Sequence, residues 1–351
     1  MPSLKAIAPH AQSSEMNDLL HSGSEEKRTA LCRTGFLAKG MTALLMALNA
    51  GASIAQNYPF KPIRIVASAP GGGNDLASRL LAQGLTERLG QQVVIDGRSA
   101  GVIPGEIVAR ANPDGYTLLY FGGSVWLIPL MVSKPPYDPL KDFSWISLAI
   151  MSPNVLVVHP SVAARSVKEL IALAKAKPGE LNYSSASTGT SNHLAAELFK
   201  SMTGVNLVRI PYKGAGPALN AVLAGEAQVM FPSAGAAIPL DKAGKIRMLA
   251  VTTIKPSALM PGLPTVASAG LPNFESAALT GLFAPARTPA PVIKRLNQET
   301  VRLLTQPDVK EKLFNTGVEV VASTPEQFEA TVRSEMTRMG KVIRETGMRA
   351  E

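Results

Sequence analysis

Glycine and hydroxyl residues stand at three points where an apolar, strand-like run leads directly into a helix-like run. The three segments are residues 63–75, 181–190 and 207–217. The first N–H groups of a helix have no acceptor within the helix and lie at the positive end of its dipole. Each turn can therefore stabilise a carboxylate or a phosphate. Together they predict that the chain binds a small anion.

Serine and histidine residues near these turns raise a second interpretation, a Ser/His hydrolase. Ser191 and His193 lie close together in the sequence, and Ser124 follows a glycine pair. Neither segment has the G-x-S-x-G pattern of a nucleophile elbow, and a histidine in the first turn of a helix more commonly caps or packs. We therefore expect a protein that is not an enzyme. The hydrolase remains an alternative, which predicts turnover that is lost in His193→Ala.

Metal and nucleotide sites are not indicated. His159 and His193 lack the spacing of helix-borne metal ligands, and the chain has neither an H-E-x-x-H motif nor an aspartate-rich calcium loop. Leu76 stands where a dinucleotide fingerprint needs its third glycine, and residues 214–217 lack the lysine and hydroxyl pair of a P-loop. We expect no metal and no cofactor.

Composition describes a globular protein of 351 residues that is 46% hydrophobic and 17% charged. A chain of this length can bury a large core and divide into two lobes. The formal net charge is +9, but the basic residues are scattered and aromatic residues make up only 5%. Because single-stranded nucleic acid binders usually combine a basic groove with aromatic stacking platforms, we expect no nucleic acid partner.

Residues 1–55 have the three-part pattern of an export signal. Basic residues precede the apolar stretch 41–48, and the small residues Ser53 and Ala55 follow it. We expect cleavage near Ala55 and a periplasmic product. The apolar stretch is shorter than the roughly 20 residues that span a bilayer, so the protein is not expected to be membrane-embedded.

From residue 63 onward, strand-like runs alternate with helix-like runs almost to the end of the chain. The first helix-like run, residues 75–89, repeats leucine at spacings of three and four, which is typical of a helix that packs by one face. Such alternation predicts an α/β protein in which mostly parallel sheets are flanked by helices. Ligands of these folds bind beyond the carboxyl ends of the strands, where all three turns lie.

Two longer motifs, Pro113-Asp114-Gly115-Tyr116-Thr117-Leu118 and Pro211-Tyr212-Lys213-Gly214, accompany the segment 69–75. With them the chain resembles the substrate-binding receptors of tripartite tricarboxylate transporters, also called Bug-type periplasmic receptors, from Tyr58 to its end. The resemblance implies a two-lobed periplasmic-binding-protein fold of type II, the Venus-flytrap architecture. It also implies a receptor that captures a small carboxylate between the lobes and delivers it to membrane transporter subunits.

With this fold we expect four segments. Residues 1–55 form the N-terminal extension and signal peptide, residues 56–156 the first part of lobe 1, residues 157–279 lobe 2, and residues 280–351 the return to lobe 1.

The resemblance also implies which residues hold the carboxylate. The turn after the first strand contributes Gly72, Gly73 and Asp75, and the turn in the second lobe contributes residues 185–190. Simpler roles stay open, since the glycines could serve only backbone geometry and Asp75 could serve only as a helix cap. The full set of predicted ligand-binding residues is Ala69, Gly72, Gly73, Asp75, Ser124, Ser185, Gly189, Thr190, Gly214 and Ser233.

The ligand class follows from a departure from the family pattern. Met230-Phe231-Pro232-Ser233 replaces a stretch that carries an acidic residue in many relatives. Without that acid, a plain mono- or dicarboxylate is favoured over a ligand with an amino group. We expect a monomer that delivers this anion to a transporter, or alternatively an adaptor that passes the signal to a sensor protein.

Overall fold

The computed structural model describes residues 58–68, 73–98 and 101–349, and the side chains of all of these except residues 73–75. The predicted signal peptide therefore lies outside the described residues. Within them, no helix is long and apolar enough to cross a membrane.

Two β-sheets organise the described part of the chain. The first sheet has the strand order β11-β4-β10-β3-β1-β2 and the second has the order β7-β6-β8-β5-β9. The strands are β1 (Ile63–Ser68), β2 (Val93–Arg98), β3 (Thr117–Gly122), β4 (Phe143–Pro153), β5 (Val155–Val158), β6 (Asn182–Ser185), β7 (Val208–Pro211), β8 (Val229–Met230), β9 (Arg247–Val251), β10 (Ala277–Pro285) and β11 (Glu319–Val320).

Helices separate most of these strands, as the alternating sequence pattern predicts. They are α1 (Gly73–Leu89), α2 (Ile103–Ala109), α3 (Ser124–Leu127), α4 (Val167–Ala176), α5 (Ser191–Thr203), α6 (Ala215–Leu223), α7 (Ala234–Lys242), α8 (Ala290–Leu304), α9 (Pro307–Phe314) and α10 (Pro325–Thr346). A 3₁₀ turn, Ile128–Leu130, follows α3.

Most strands in each sheet run in one direction. In the first sheet β1 is parallel to β2 and β3, and β10 is antiparallel to both β3 and β4. In the second sheet β6 is parallel to β7 and β8, and β5 is antiparallel to β8 and β9. The prediction of a two-lobed α/β fold with mostly parallel sheets is confirmed.

The chain passes between the sheets through two adjacent connections. Asn154 joins β4 to β5, and residues 252–276 lead from β9 back to β10. The Thr252 N–H donates to the Asn154 carbonyl at 3.0 Å, and the Ser276 N–H donates to the Thr252 carbonyl at 2.9 Å. The first of these hydrogen bonds joins the two connections, and the second holds the ends of residues 252–276 together. The exact lobe boundaries stay a prediction.

Helix α10 is fixed to the first sheet by an aromatic cluster. Phe328 packs on Phe283 of β10 with ring centroids 4.7 Å apart and on Trp126 of α3 with centroids 6.3 Å apart. Gly281 leaves the space for the Phe328 ring, since a Cβ there would lie 2.1 Å from it. A capping box at Thr324 begins the helix. This packing holds the face of α10 that carries Glu335 against Trp126.

Candidate functional site

A cavity of about 820 Å³ lies between the two sheets and takes its walls from both. The first sheet and its helices contribute Ser68, residues 121–124, residues 276–280 and Glu335. The second contributes residues 187–191, Leu194 and Arg209. This volume is typical of cavities that enclose small organic ligands.

The turn between β6 and α5 shapes the wall on the side of the second sheet. Gly189 has a φ of 81°, a left-handed conformation that favours glycine. The turn lies beside the first lobe, since a Cβ on Gly189 would make ordinary contact with Met131 Sδ at 3.4 Å and with Ile128 at 3.5 Å. The Thr190 hydroxyl contacts the Ser187 carbonyl at 2.7 Å and Asn192 Oδ1 at 2.8 Å. The turn is therefore held by its own side chains.

Hydrogen bonds within the turn occupy some of the N–H groups that the sequence pattern assigns to a ligand. The Gly189 N–H donates to His193 Nδ1 at 3.3 Å, and the Thr190 N–H donates to the Ser187 carbonyl at 3.2 Å. In the first turn of α5, the N–H groups of residues 191–193 have no acceptor among the described residues. Ser191 lines the cavity, so the anion-stabilising end of α5 opens there.

Arg209 of β7 places a guanidinium in the same wall. Its Nε donates to Ser185 Oγ at 2.9 Å, and its two terminal nitrogens donate to Thr188 Oγ1 at 3.2 Å and to the Ala186 carbonyl at 3.0 Å. A guanidinium carries five N–H donors. Three of them hold the side chain in place, and the other two have no acceptor among the described residues.

His193 lies behind this wall and is 2% exposed. Burial lowers the pKa of its imidazole to about 4, and the charge of Arg209 lowers it as well. Glu197, one turn further along α5, accepts hydrogen bonds from Tyr183 and from Lys200. Although burial opposes it, these bonds lower the pKa of Glu197. His193 is therefore neutral at pH 7 and serves as the acceptor for Gly189, which is a capping role.

Glu335 is an acidic group in the wall that α10 forms. Its Oε2 accepts a hydrogen bond of 2.7 Å from Trp126 Nε1, and both side chains are buried. Burial raises the pKa of Glu335 to about 7, against the lowering effects of Trp126 and Arg338.

The structure brings three of the predicted site residues to the cavity and places three others elsewhere. Ser124, Gly189 and Thr190 line it. Ser185 is fully buried behind it and reaches it only through Arg209. Gly214 follows β7, the edge strand of the second sheet, and Ser233 is exposed at the start of α7. Neither lines the cavity, so their ligand contacts stay predictions.

Of the other predicted residues, Ala69 and Gly72 lie outside the described residues. Gly73 begins α1, and the side chain of Asp75 is not described.

Sequence reasoning did not select Arg209 or Glu335. A signal was present in both cases, because Arg209 is a lone charge within the apolar run 207–210. Likewise, Glu335 occupies a position in the apolar stripe of α10, between Val332 and Met339. A charge inside an apolar stripe needs a partner, and such residues are worth testing as site residues.

Comparison with protein families gives one extensive match. The family model described as "Tripartite tricarboxylate transporter family receptor" covers residues 77–348. Protein BugT of Bordetella pertussis is 35% identical over 298 residues, which cover 84% of this chain and 91% of BugT. A protein encoded in the tcbD-tcbE intergenic region of Pseudomonas sp. strain P51 is 34% identical over 317 residues, 88% of this chain and 94% of that protein.

Solved structures agree with this match. R. palustris Rpa4515 with adipate has a TM-score of 0.73 and 34% identity, covering 83% of this chain and 99% of that one. MatC from Rhodopseudomonas palustris with bound malate has a TM-score of 0.70 and 29% identity, covering 82% of this chain and all of that one. The family consists of receptors, which confirms both the resemblance and the expectation that the protein is not an enzyme. The chain belongs to the receptor family of the tripartite tricarboxylate transporters.

Proposed function

We propose that the protein captures a small organic carboxylate in the cavity between its sheets and delivers it to membrane transporter subunits. The observation that carries this proposal is the juxtaposition of Arg209 with the first turn of α5. Both lie in one wall of a cavity that the opposite lobe closes.

The chemistry of this wall suits a carboxylate. A guanidinium binds a carboxylate through two parallel N–H donors, and Arg209 has two N–H groups beyond those that hold it in place. The first turn of α5 adds further N–H donors and the positive end of the helix dipole. Because the donors are fixed before the ligand arrives, little conformational entropy is lost on binding.

The relatives support the ligand class and the partner. The structures with adipate and malate both hold dicarboxylates, and the family is named for its transporter. We further propose that residues 1–55 direct export, that cleavage occurs near Ala55, and that the mature protein works in the periplasm as a monomer.

The test is ligand-induced stabilisation across a series of mono- and dicarboxylates, read by thermal shift and titration calorimetry. A ligand at 100 times its dissociation constant stabilises the folded state by about 2.7 kcal/mol. Arg209→Gln should weaken binding of every ligand in the series by about 10-fold or more, since a hydrogen bond to a charged group contributes about 1.5–3 kcal/mol. Arg209→Lys keeps the charge without the two-donor geometry, and we expect it to bind with intermediate affinity.

Arg247→Gln is the matched control for these variants. Arg247 is also partly buried in a strand of the second sheet, but it donates to the carbonyls of Val162 and Ala164 and does not line the cavity. It should bind carboxylates like the unmodified protein. The proposal fails if no carboxylate stabilises the protein, or if Arg209→Gln and Arg247→Gln have equal effects on affinity.

A further inference from the structure

Among the described residues that line the cavity, Glu335 is the one with an acidic side chain. It lies on α10, which belongs to the first lobe, whereas Arg209 lies on β7 of the second. Its bonding partner in the described part of the chain is the indole N–H of Trp126, a neutral donor. Glu335 therefore lines the cavity with a carboxyl whose remaining bonding capacity no described residue uses.

The charged groups around Glu335 have other partners or lie across the cavity. On its own helix, Arg338 pairs with Glu275 at 2.6 Å, and Glu275 comes from the connection that leads into β10. The cavity is also lined by Arg209, from the second lobe, and by Arg349, from the segment after α10. No ion pair involves Glu335 among the residues described.

Ionisation of Glu335 is costly in this position. A buried carboxylate without a cationic partner loses much of its hydration energy, which is why burial raises the pKa of this group to about 7. In the neutral form Glu335 keeps an O–H group that can donate. Oε2 can still accept from Trp126 while the other oxygen donates towards the cavity.

The other residues that line the cavity indicate the polarity and the charge of a ligand that fits there. Leu127, Leu194 and Leu279 are apolar and suit methylene groups, while the two arginines favour a ligand with more than one negative charge. A second carboxylate that enters the cavity would raise the proton affinity of Glu335 further, because like charges disfavour ionisation.

We propose that Glu335 binds the distal carboxylate of a dicarboxylate ligand by donating its carboxyl proton in an O–H···O hydrogen bond. This inference rests on the proposed function, since it assumes that the other carboxylate is held by Arg209 and the first turn of α5. Above neutral pH the proton is taken from solvent when the ligand binds. Dicarboxylate binding is therefore coupled to the uptake of one proton, and monocarboxylate binding is not.

The experiment measures the affinity of adipate and of hexanoate, a monocarboxylate of equal carbon number, at pH 6 and pH 8. For a group whose free pKa is about 7, proton uptake on binding lowers the affinity for adipate about 10-fold between these two pH values. Hexanoate should lose no affinity over the same range. Calorimetry of adipate at pH 8 in buffers of different ionisation enthalpy should show proton uptake.

Glu335→Gln is the decisive variant. Glutamine keeps an acceptor for Trp126 and supplies N–H donors that do not titrate. It should bind adipate at pH 8 about 10-fold more tightly than the unmodified protein and should abolish the pH dependence. Because adipate itself titrates identically with both proteins, the comparison isolates Glu335. Glu329→Gln, which alters an exposed carboxylate of the same helix paired with Arg333, should keep the pH dependence.

Two sets of results would overturn the inference and leave the proposed function standing. In one, adipate binds with the same pH dependence in the Glu335→Gln variant as in the unmodified protein. In the other, hexanoate binds and adipate does not. If neither ligand and no other carboxylate binds the unmodified protein, the proposed function itself fails.

Discussion

The Nε of Arg209 donates a hydrogen bond of 2.9 Å to the Oγ of Ser185, a side chain with no exposed surface. Ser185 is a residue that the family resemblance assigns to the ligand. In the structure its hydroxyl holds the guanidinium that faces the cavity. The serine thus acts on a ligand through Arg209.

This arrangement predicts that Ser185→Ala weakens carboxylate binding without abolishing it. The variant leaves Arg209 with two of its three hydrogen bonds to the protein and so allows the guanidinium more freedom. We expect a loss of about 1 kcal/mol, or about fivefold in affinity, which is the usual contribution of one hydrogen bond. Titration calorimetry with a carboxylate that binds the unmodified protein measures it.

Ser184→Ala is the control for that experiment. Ser184 is the preceding residue of β6, is equally buried, and donates to the Ala218 carbonyl at 2.8 Å instead of to Arg209. Ser184→Ala should lower the free energy of unfolding by about as much as Ser185→Ala does, and it should leave the affinity for the carboxylate unchanged. Equal losses of affinity in both variants would show that Ser185 acts only through general stability.

Acid should destabilise the protein through His193. The pKa of His193 is about 4 in the folded state and near 6.5 in the unfolded chain. Below pH 6.5 the unfolded state therefore binds more protons, and stability is lost as the pH falls from 6.5 towards 4. His193→Gln removes this effect and keeps an acceptor for the Gly189 N–H.

The measurement for His193 is chemical denaturation at pH 7 and at pH 4.5. The free energy of unfolding of His193→Gln, minus that of the unmodified protein, should be about 2 kcal/mol higher at pH 4.5 than at pH 7. His159→Gln, at the end of β5, is the control and should show the same pH dependence as the unmodified protein, since His193 is still present. An unchanged difference between His193→Gln and the unmodified protein at the two pH values would contradict the prediction.

Glu335 should have the opposite effect on stability. The pKa of this carboxyl is about 7 in the folded state and near 4.5 in the unfolded chain, so its contribution is fully present below pH 4.5 and is lost as the pH rises through 7. Between pH 4.5 and 6.5 the contributions of His193 and Glu335 change in opposite directions. The unmodified protein should consequently show little net pH dependence from this pair in that range.

Denaturation of Glu335→Gln tests this second linkage without any ligand. The free energy of unfolding of the variant, minus that of the unmodified protein, should be about 3 kcal/mol higher at pH 8 than at pH 4. Glu329→Gln serves again as the control because its carboxylate is exposed and paired with Arg333. A gain that is the same at both pH values would mean that Glu335 is not held in its neutral form by burial.

Gly235 and Gly317 form a close contact between the two lobes. Gly235 lies in α7 beside the second sheet, and a Cβ on it would lie 2.3 Å from the Thr316 carbonyl oxygen, just before β11 of the first sheet. Gly235→Ala should lower the free energy of unfolding by about 1–3 kcal/mol, because backbone has to move to admit the methyl group. Urea denaturation of the ligand-free protein measures the loss.

Gly216→Ala is the matched substitution in α6. No atom beyond the adjoining residues lies within 4 Å of a Cβ built there. Alanine is the better helix former by about 0.5–1 kcal/mol, which offsets the cost of a Cβ on the residue before Pro217. This variant should be as stable as the unmodified protein or slightly more so. If both alanine variants behave alike, the lobes do not pack at Gly235 as described.

The sequence by itself determined the family, the α/β class and the position of the turn before α5. These features depend on short-range patterns: the leucine spacing of a helix, the glycine at a left-handed position such as Gly189, and motifs such as residues 113–118. Neighbouring residues along the chain decide them, so they can be recognised before the tertiary structure is known.

Only the tertiary structure decided which groups meet in the cavity. Trp126 and Glu335 are bonded although 209 positions separate them in the chain. In the third of the turns that look alike in sequence, Gly214 follows an edge strand and does not line the cavity, whereas Arg209 and Pro211 before it do. The physical reason is that burial, partner choice and the proton affinity of a carboxyl depend on contacts between distant segments. Local sequence patterns do not determine those contacts.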